Sequence, residues 1–134
     1  TLSEERDGRT VWKMTASQVN VDIDTNDTSM TAIDGTFYTE EGRSLTLKAA
    51  EGRMDGKTHD VVVTGNIEAQ TSDGASLRAK QLRWTAAEGS LSAEGDAEIV
   101  RDDIRATGDR IVSTDGFQKF SVIGNARIEK GGAQ

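Results

Sequence analysis

Few side chains in this sequence could do chemistry, and they are scattered. His59 is the only histidine and there is no cysteine. Asp60 follows His59 directly, but strand neighbours point to opposite faces, so adjacency cannot make the pair a catalytic relay. A solvated loop histidine is the expected state. The run Asp22-Ile-Asp24-Thr-Asn26-Asp27 has the oxygen spacing of a calcium loop. It fails where an EF-hand needs glycine, which is Asp27 here, and where it needs a bidentate glutamate, which is Ile33 here. Polar turn residues are the simpler reading. The pairs Glu40-Glu41 and Asp102-Asp103 could be drawn as glycosidase acids, yet both fall at turns, where consecutive acids are solvated. Arg78 and Lys80 alternate with Leu77 and Ala79, so they point outward. They could meet a lipid phosphate at a groove mouth, or simply solvate an outer strand face. No catalytic residue, metal ligand or cofactor is expected.

The elements that would position such residues emerge from composition and spacing. The chain has 134 residues, one domain's worth, with a net charge of −7. That charge excludes a nucleic-acid footprint, which needs clustered lysine and arginine. No apolar run is long enough to span a bilayer as a helix. The chain opens at Thr1 without a methionine, so a processed or trimmed form is expected, with any signal or anchor upstream. Leu, Ile, Val and Phe total 26 of 134 residues, close to the roughly 20% below which charged chains stay disordered. Order therefore depends on how those residues are placed.

They are placed periodically. Gly35, Gly65, Gly95 and Gly124 are spaced 30, 30 and 29 residues apart. Around Gly65 the flanking alternate positions are Val61, Val63, Ile67 and Ala69; around Gly95, Leu91, Ala93, Ala97 and Ile99; around Gly124, Phe120, Val122, Ala126 and Ile128. Gly35 is the degenerate member, flanked by Thr31, Ile33, Phe37 and Thr39. A second signature precedes each glycine: Trp12-x-Met14-x-Ala16, Leu45-x-Leu47-x-Ala49, Ala75-x-Leu77-x-Ala79 and Ile104-x-Ala106. The chain reads as about four units near 30 residues each.

Alternation at period two, with one apolar and one polar face, predicts half-buried antiparallel strands. Glu41-Gly42, Asp55-Gly56, Asp73-Gly74, Glu88-Gly89 and Asp115-Gly116 supply turns between them. Apolar parity is unbroken across each repeated glycine, so these glycines are expected to face inward as kinks. Parity slips by one after each alanine, which predicts a corner there. The expected fold is all-β: two facing antiparallel sheets around a narrow apolar interior. Because many inward residues are Ala or Gly, that interior is either two closely apposed sheets or a slot fit for an acyl chain. One domain over 1–134 is expected, with 1–10 a flexible lead and 129–134 a flexible tail.

The order Trp12-Lys-Met-Thr-Ala16, Gly35-Thr-Phe37-Tyr38, Val63-Thr-Gly65-Asn66-Ile67, Leu77-Arg-Ala79-Lys-Gln-Leu82-Arg-Trp84 and Val122-Ile-Gly124-Asn125-Ala126 resembles the LptC/LptA superfamily of lipopolysaccharide export proteins, and LptC most. The resemblance covers roughly residues 11 to 130. It implies a twisted open β-jellyroll (a "β-taco") that holds lipid acyl chains between its sheets. It also implies a periplasmic protein tethered to the inner membrane by an N-terminal helix outside this sequence. Such a protein takes lipopolysaccharide from the inner-membrane ABC transporter and passes it to an LptA-like bridge. If a signal peptide rather than an anchor preceded Thr1, the soluble LptA-like bridge would match better. The groove residues implied are Ile33, Phe37, Val61, Val63, Ile67, Leu91, Ile99, Phe120, Val122 and Ile128. Trp12, Met14 and Ala16 would form the N-terminal partner edge toward the transporter. Phe120, Val122, Ala126 and Ile128 would form the C-terminal edge toward the bridge. From the repeats alone, a structural envelope module stays open. A carbohydrate-active enzyme is disfavoured, because no inward-facing acid pair is apparent.

Overall fold

The computed structural model describes residues 1–39 and 42–131. The described chain contains strands, turns and bends and no helix. Ten strands form one antiparallel sheet: β1 (Leu2–Arg6), β2 (Arg9–Val21), β3 (Thr28–Tyr38), β4 (Ser44–Met54), β5 (Val61–Thr71), β6 (Ser76–Thr85), β7 (Ser90–Arg101), β8 (Ile104–Ser113), β9 (Ser121–Ile123) and β10 (Arg127–Lys130). Neighbours in sequence are neighbours in space from β1 to β8, and β9 and β10 both pair with β8. Among the described residues the connections from β4 to β8 are short turns, and a longer loop, 114–120, joins β8 to β9.

The two facing layers are arms of this single sheet, which folds over along one crease. Register shifts fall between Lys48 and Glu51, Thr64 and Ile67, Arg78 and Gln81, and Glu94 and Ala97. They line up from strand to strand, so the sheet bends at one line. The glycine kinks and the alanine corners of the repeat are thus one feature seen on alternate strands. On β5 and β7 the bend is Gly65-Asn66 and Gly95-Asp96, all with positive φ; Gly124-Asn125 repeats this between β9 and β10. Ala49-Ala50 and Ala79-Lys80 stand opposite them on β4 and β6.

Several expectations are corrected here. Gly65 and Gly124 are exposed and Gly95 half-buried, so the bend turns these glycines away from the interior. An extra residue in the bulge restores the apolar parity on either side. Gly35 does face inward but makes no kink: it sits in regular register between Met14 and Leu47. On β3 the bend falls at Ala32, with φ 54°. Residues 1–10 are not a loose lead either, since β1 pairs with β2 from Arg6↔Arg9 to Leu2↔Met14. Of the expected tail, Glu129 and Lys130 belong to β10, and 132–134 lie outside the described residues.

Both arms contribute to one core cluster of 26 buried apolar residues, eight of them alanines. Phe37 on one arm and Trp84 on the other pack with their rings tilted by 39° and their centroids 5.6 Å apart. Small residues along the crease and large ones toward the rims make a wedge, so the arms are closely apposed. Dispersion across this contact and burial of the apolar face hold the arms together.

Candidate functional site

The functional question reduces to the apolar interior and how it opens. The first arm (10–16, 33–38, 44–49, 67–71, 76–79, 97–101, 104–108) and the second arm (18–21, 28–31, 51–54, 61–64, 81–85, 90–94, 109–113) meet at the crease. Their far ends carry the turns that form two rims. Between the rims lies a mouth of ≈ 730 Å³, floored by Val11, Phe37, Leu45, Trp84 and Leu91 and edged by Arg6, Glu88 and Asp115. A second hollow, ≈ 940 Å³, lies on the outer face of the first arm among Lys13, Asp34, Lys48, Glu68, Arg78, Glu98 and Arg105. Successive strands there present alternating charges, Asp34↔Lys48↔Glu68↔Arg78↔Glu98. Opposite charges in register stabilise a sheet face, and Leu47, Ala69, Leu77 and Val100 line the hollow between them.

Of the residues expected in the groove, Ile33, Phe37, Val61, Val63, Ile67, Leu91 and Ile99 are buried between the arms. Phe37 and Leu91 also reach the mouth. Phe120 and Val122 are partly buried against the core. Ile128 is 66% exposed, because β10 lies at the sheet's edge beyond Ala106; it is not an interior residue. Trp12 and Met14 are not an open edge, since β1 covers them. Among the described residues, 15–21 of β2 remain uncovered on that side, with Val19 and Val21 exposed. The C-terminal edge is formed by β9 and β10, with Ile123 44% exposed beside Ile128; Ala126 lies exposed in the bend between them.

The rim explains the residues that looked chemical. Asp22–Asp27 and the stretch 55–60 are two copies of one turn. Asp22 N–H donates to Asp27 O and Asp55 N–H to Asp60 O, both at 2.9 Å. Asp22 Oδ1 accepts from Asp24 and Thr25 N–H, as Asp55 Oδ1 accepts from Lys57 and Thr58 N–H. Asn26 and His59 occupy the same left-handed position, each with φ 64°. His59 is therefore a turn residue, and the apparent calcium loop is its sibling. No group of three or more metal-ligating side chains occurs among the described residues. The signal that sequence reading missed was this Asp-x-x-Thr-x-Asp repeat. Each closing aspartate also reaches the next turn: Asp27 Oδ1 accepts from Gly56 N–H at 2.7 Å and Asp60 Oδ1 from Ala86 N–H at 2.8 Å. Asp102 and Asp103 are exposed in the β7–β8 turn; Glu40-Glu41 lies outside the described residues. Arg78 is exposed on the charged face, and Lys80 pairs with Asp96 at 3.2 Å.

Two buried features close the rest of the seam. Phe117 is fully buried although its φ is 66°, an unusual conformation for a bulky residue. Ser113 Oγ accepts its N–H at 2.9 Å, and Arg101 donates to its carbonyl at 3.4 Å. The indole N–H groups of Trp12 and Trp84 are buried without a protein acceptor, which is costly in an apolar surround.

Two rim carboxyls make stability acid-sensitive. The Thr71 hydroxyl, and beyond it Arg101, holds Asp73 below the ordinary aspartate value of 3.8. Burial pushes Asp115 up, but the Lys119 N–H and the Ser113 hydroxyl outweigh it and leave it below 3.8. A carboxyl depressed in the folded state stabilises above its unfolded value and loses that contribution as pH falls through the folded value. Thermal melts should therefore be flat above about pH 5 and fall steeply below about pH 4. Asp73→Asn and Asp115→Asn should each lower the neutral-pH melting point and shallow the acid slope. An unchanged slope in both would remove these groups from the account.

These observations define a class: a folded-over, all-β jellyroll with an apolar interior open at one seam. Among solved structures it is similar to LptH of Pseudomonas aeruginosa, described as the LptA-homologous periplasmic component of the conserved lipopolysaccharide transport device. That match has 10% identity and a TM-score of 0.67, covering 84% of this chain and 82% of that one. No curated protein matches the sequence. The sequence model of the family described as "Lipopolysaccharide-assembly, LptC-related" matches residues 1–128. The chain belongs to this LptC-related family of lipopolysaccharide assembly. Among the described residues no helix is long and apolar enough to cross a membrane.

Proposed function

We propose that this domain carries lipopolysaccharide through its interior without catalysis, taking it from the inner-membrane ABC transporter and passing it to an LptA-like bridge. In this reading acyl chains enter through the mouth and part the two arms, lying against Phe37, Leu91 and Val63. The observation that carries the reading is an apolar interior shared by both arms, whose mouth is floored by Phe37, Leu45, Trp84 and Leu91. Each buried chain carbon is worth roughly 0.8 kcal/mol, so a dozen carbons give ample gross affinity without any charged contact. The C-terminal edge faces the acceptor and the N-terminal edge the donor, in the periplasm, with a membrane tether preceding Thr1.

A photo-crosslinking amino acid at Leu91 or Phe37 should capture lipopolysaccharide, and one at Arg78 on the charged outer face should not. Equal capture at all three positions refutes the assignment, and no capture anywhere favours a structural envelope module. Asp102→Ala and Asp103→Ala should leave transfer within a few-fold of the parent. A loss of about 10²-fold, the size expected for removing a general acid or base, would show catalysis.

A further inference from the structure

We propose that β1 is a releasable strap: it closes the seam on the N-terminal side and hides the strand edge that a partner must pair with, so that docking and opening are one event. The inference rests on the reading of the interior as the lipid slot. β1 hydrogen-bonds along 9–14 of β2, on the first arm. Its side chains nevertheless tie to the opposite rim. The His59 Nδ1 to Glu4 Oε1 distance is 2.9 Å, and the Arg6 guanidinium donates to Ala86 O. Both partners lie in turns at the end of the second arm. β1 therefore spans the opening, with the mouth between it and the loop that carries Phe117.

The strap is held lightly. It has five residues, mostly exposed, and its pairing slips between Glu4 and Glu5. Beneath it, across from Glu4, lies Trp12 with its indole N–H unsatisfied. A short edge strand with irregular pairing is a usual device against unwanted strand addition.

The geometry also says what replaces it. β1 stops at Met14, so among the described residues 15–21 of β2 has no neighbour on that side. A strand that pairs with all of β2 must cross the crease and be bent as β2 is. The C-terminal edge of this same fold is such a strand: β9 and β10 are two short segments joined by the Gly124-Asn125 bend. The partner is thus the C-terminal edge of another jellyroll of this architecture. Its arrival would displace β1, break both rim ties and free the arms to part.

The chain has no cysteine, so a disulfide can pin the strap. Ser3 and Lys13 are paired across β1 and β2 and both are exposed on the outer face, which suits Ser3→Cys with Lys13→Cys. Uptake of cis-parinaric acid should slow by about tenfold or more in the oxidised form, one decade in the open fraction, and recover on reduction. Glu4→Gln with Arg6→Gln should speed uptake and red-shift the emission of Trp12 and Trp84. It should also promote head-to-tail association in sedimentation at high concentration, which the oxidised lock prevents. Equal parinaric acid uptake by locked and reduced chains, or no uptake by either, overturns the gate. A loosened chain that stays monomeric overturns the docking half. Lock-sensitive parinaric acid uptake without lipopolysaccharide binding in any form would instead leave the strap standing and refute the lipid assignment.

Discussion

A chain ending at Lys119 should lose binding to an LptA-like acceptor by about 100-fold while keeping a β-type circular dichroism spectrum. The deletion removes β9 and β10, which form the C-terminal edge on both sides of the crease. It takes away a bent row of backbone donors and acceptors and the exposed Ile123 and Ile128. Burying one isoleucine side chain is worth about 1.5–3 kcal/mol, and about 1.4 kcal/mol is tenfold in affinity, so two such contacts suffice. The edge laid bare is β8, which presents the exposed charges Arg105, Asp109 and Arg110, the kind of side chain that discourages strand addition. The core loses only Phe120 and Val122, both partly buried, so the remaining sheet should hold. Full acceptor binding by the folded, truncated chain would end the edge-to-edge account.

Gly65→Val should be the most damaging single change at the crease. Gly65 has φ +96°, and a Cβ there would stand 2.5 Å from the Ala50 Cβ. A β-branched residue held at such a φ costs on the order of 1–3 kcal/mol. Crowding Ala50 adds about 1–3 kcal/mol more, as overpacking does elsewhere. Against a total stability of about 5–15 kcal/mol, the melting temperature should fall by about 10 °C or more. Gly74→Ala isolates the backbone part, since Gly74 has φ +101° with nothing within 4 Å of a Cβ. It should cost roughly a third as much. If Gly65→Val melts like the parent, the crease does not depend on that glycine.

The contrast between these glycines shows how far the pattern could be read. The spacing of Gly65, Gly95 and Gly124 reveals the repeat and the place where each strand bends, because a bulge residue has a strong backbone requirement that leaves its mark locally. Gly35 shares the spacing but not the role; its inward face meets the Met14 Cγ, 3.2 Å from an added Cβ, so it is glycine for room. Spacing alone cannot separate these two causes. The rim turns show the reverse case: residue order marks Asp22–Asp27 as a polar turn and His59 as a loop residue, and only their shared hydrogen bonds make 22–27 and 55–60 one element.

Period-two alternation and Asp-Gly turns are local consequences of side-chain geometry, so strands, the all-β class and the interior character of Val63, Ile67, Leu91 and Ile99 were legible from residue order. Three matters required the folded chain. Closely apposed arms and an open slot share one inward pattern of small residues, and only the wedge set by Phe37 against Trp84 chose between them. Ile128 continues its strand's alternation perfectly, yet nothing lies opposite it at the sheet's edge, and alternation carries no information about what faces a residue. The polar, weakly patterned stretch from Thr1 to Thr10 reads as a lead, yet Glu4 and Arg6 find partners at His59 and Ala86. Contacts made across some 55 and 80 residues depend on how the whole sheet folds over, and no local period encodes them.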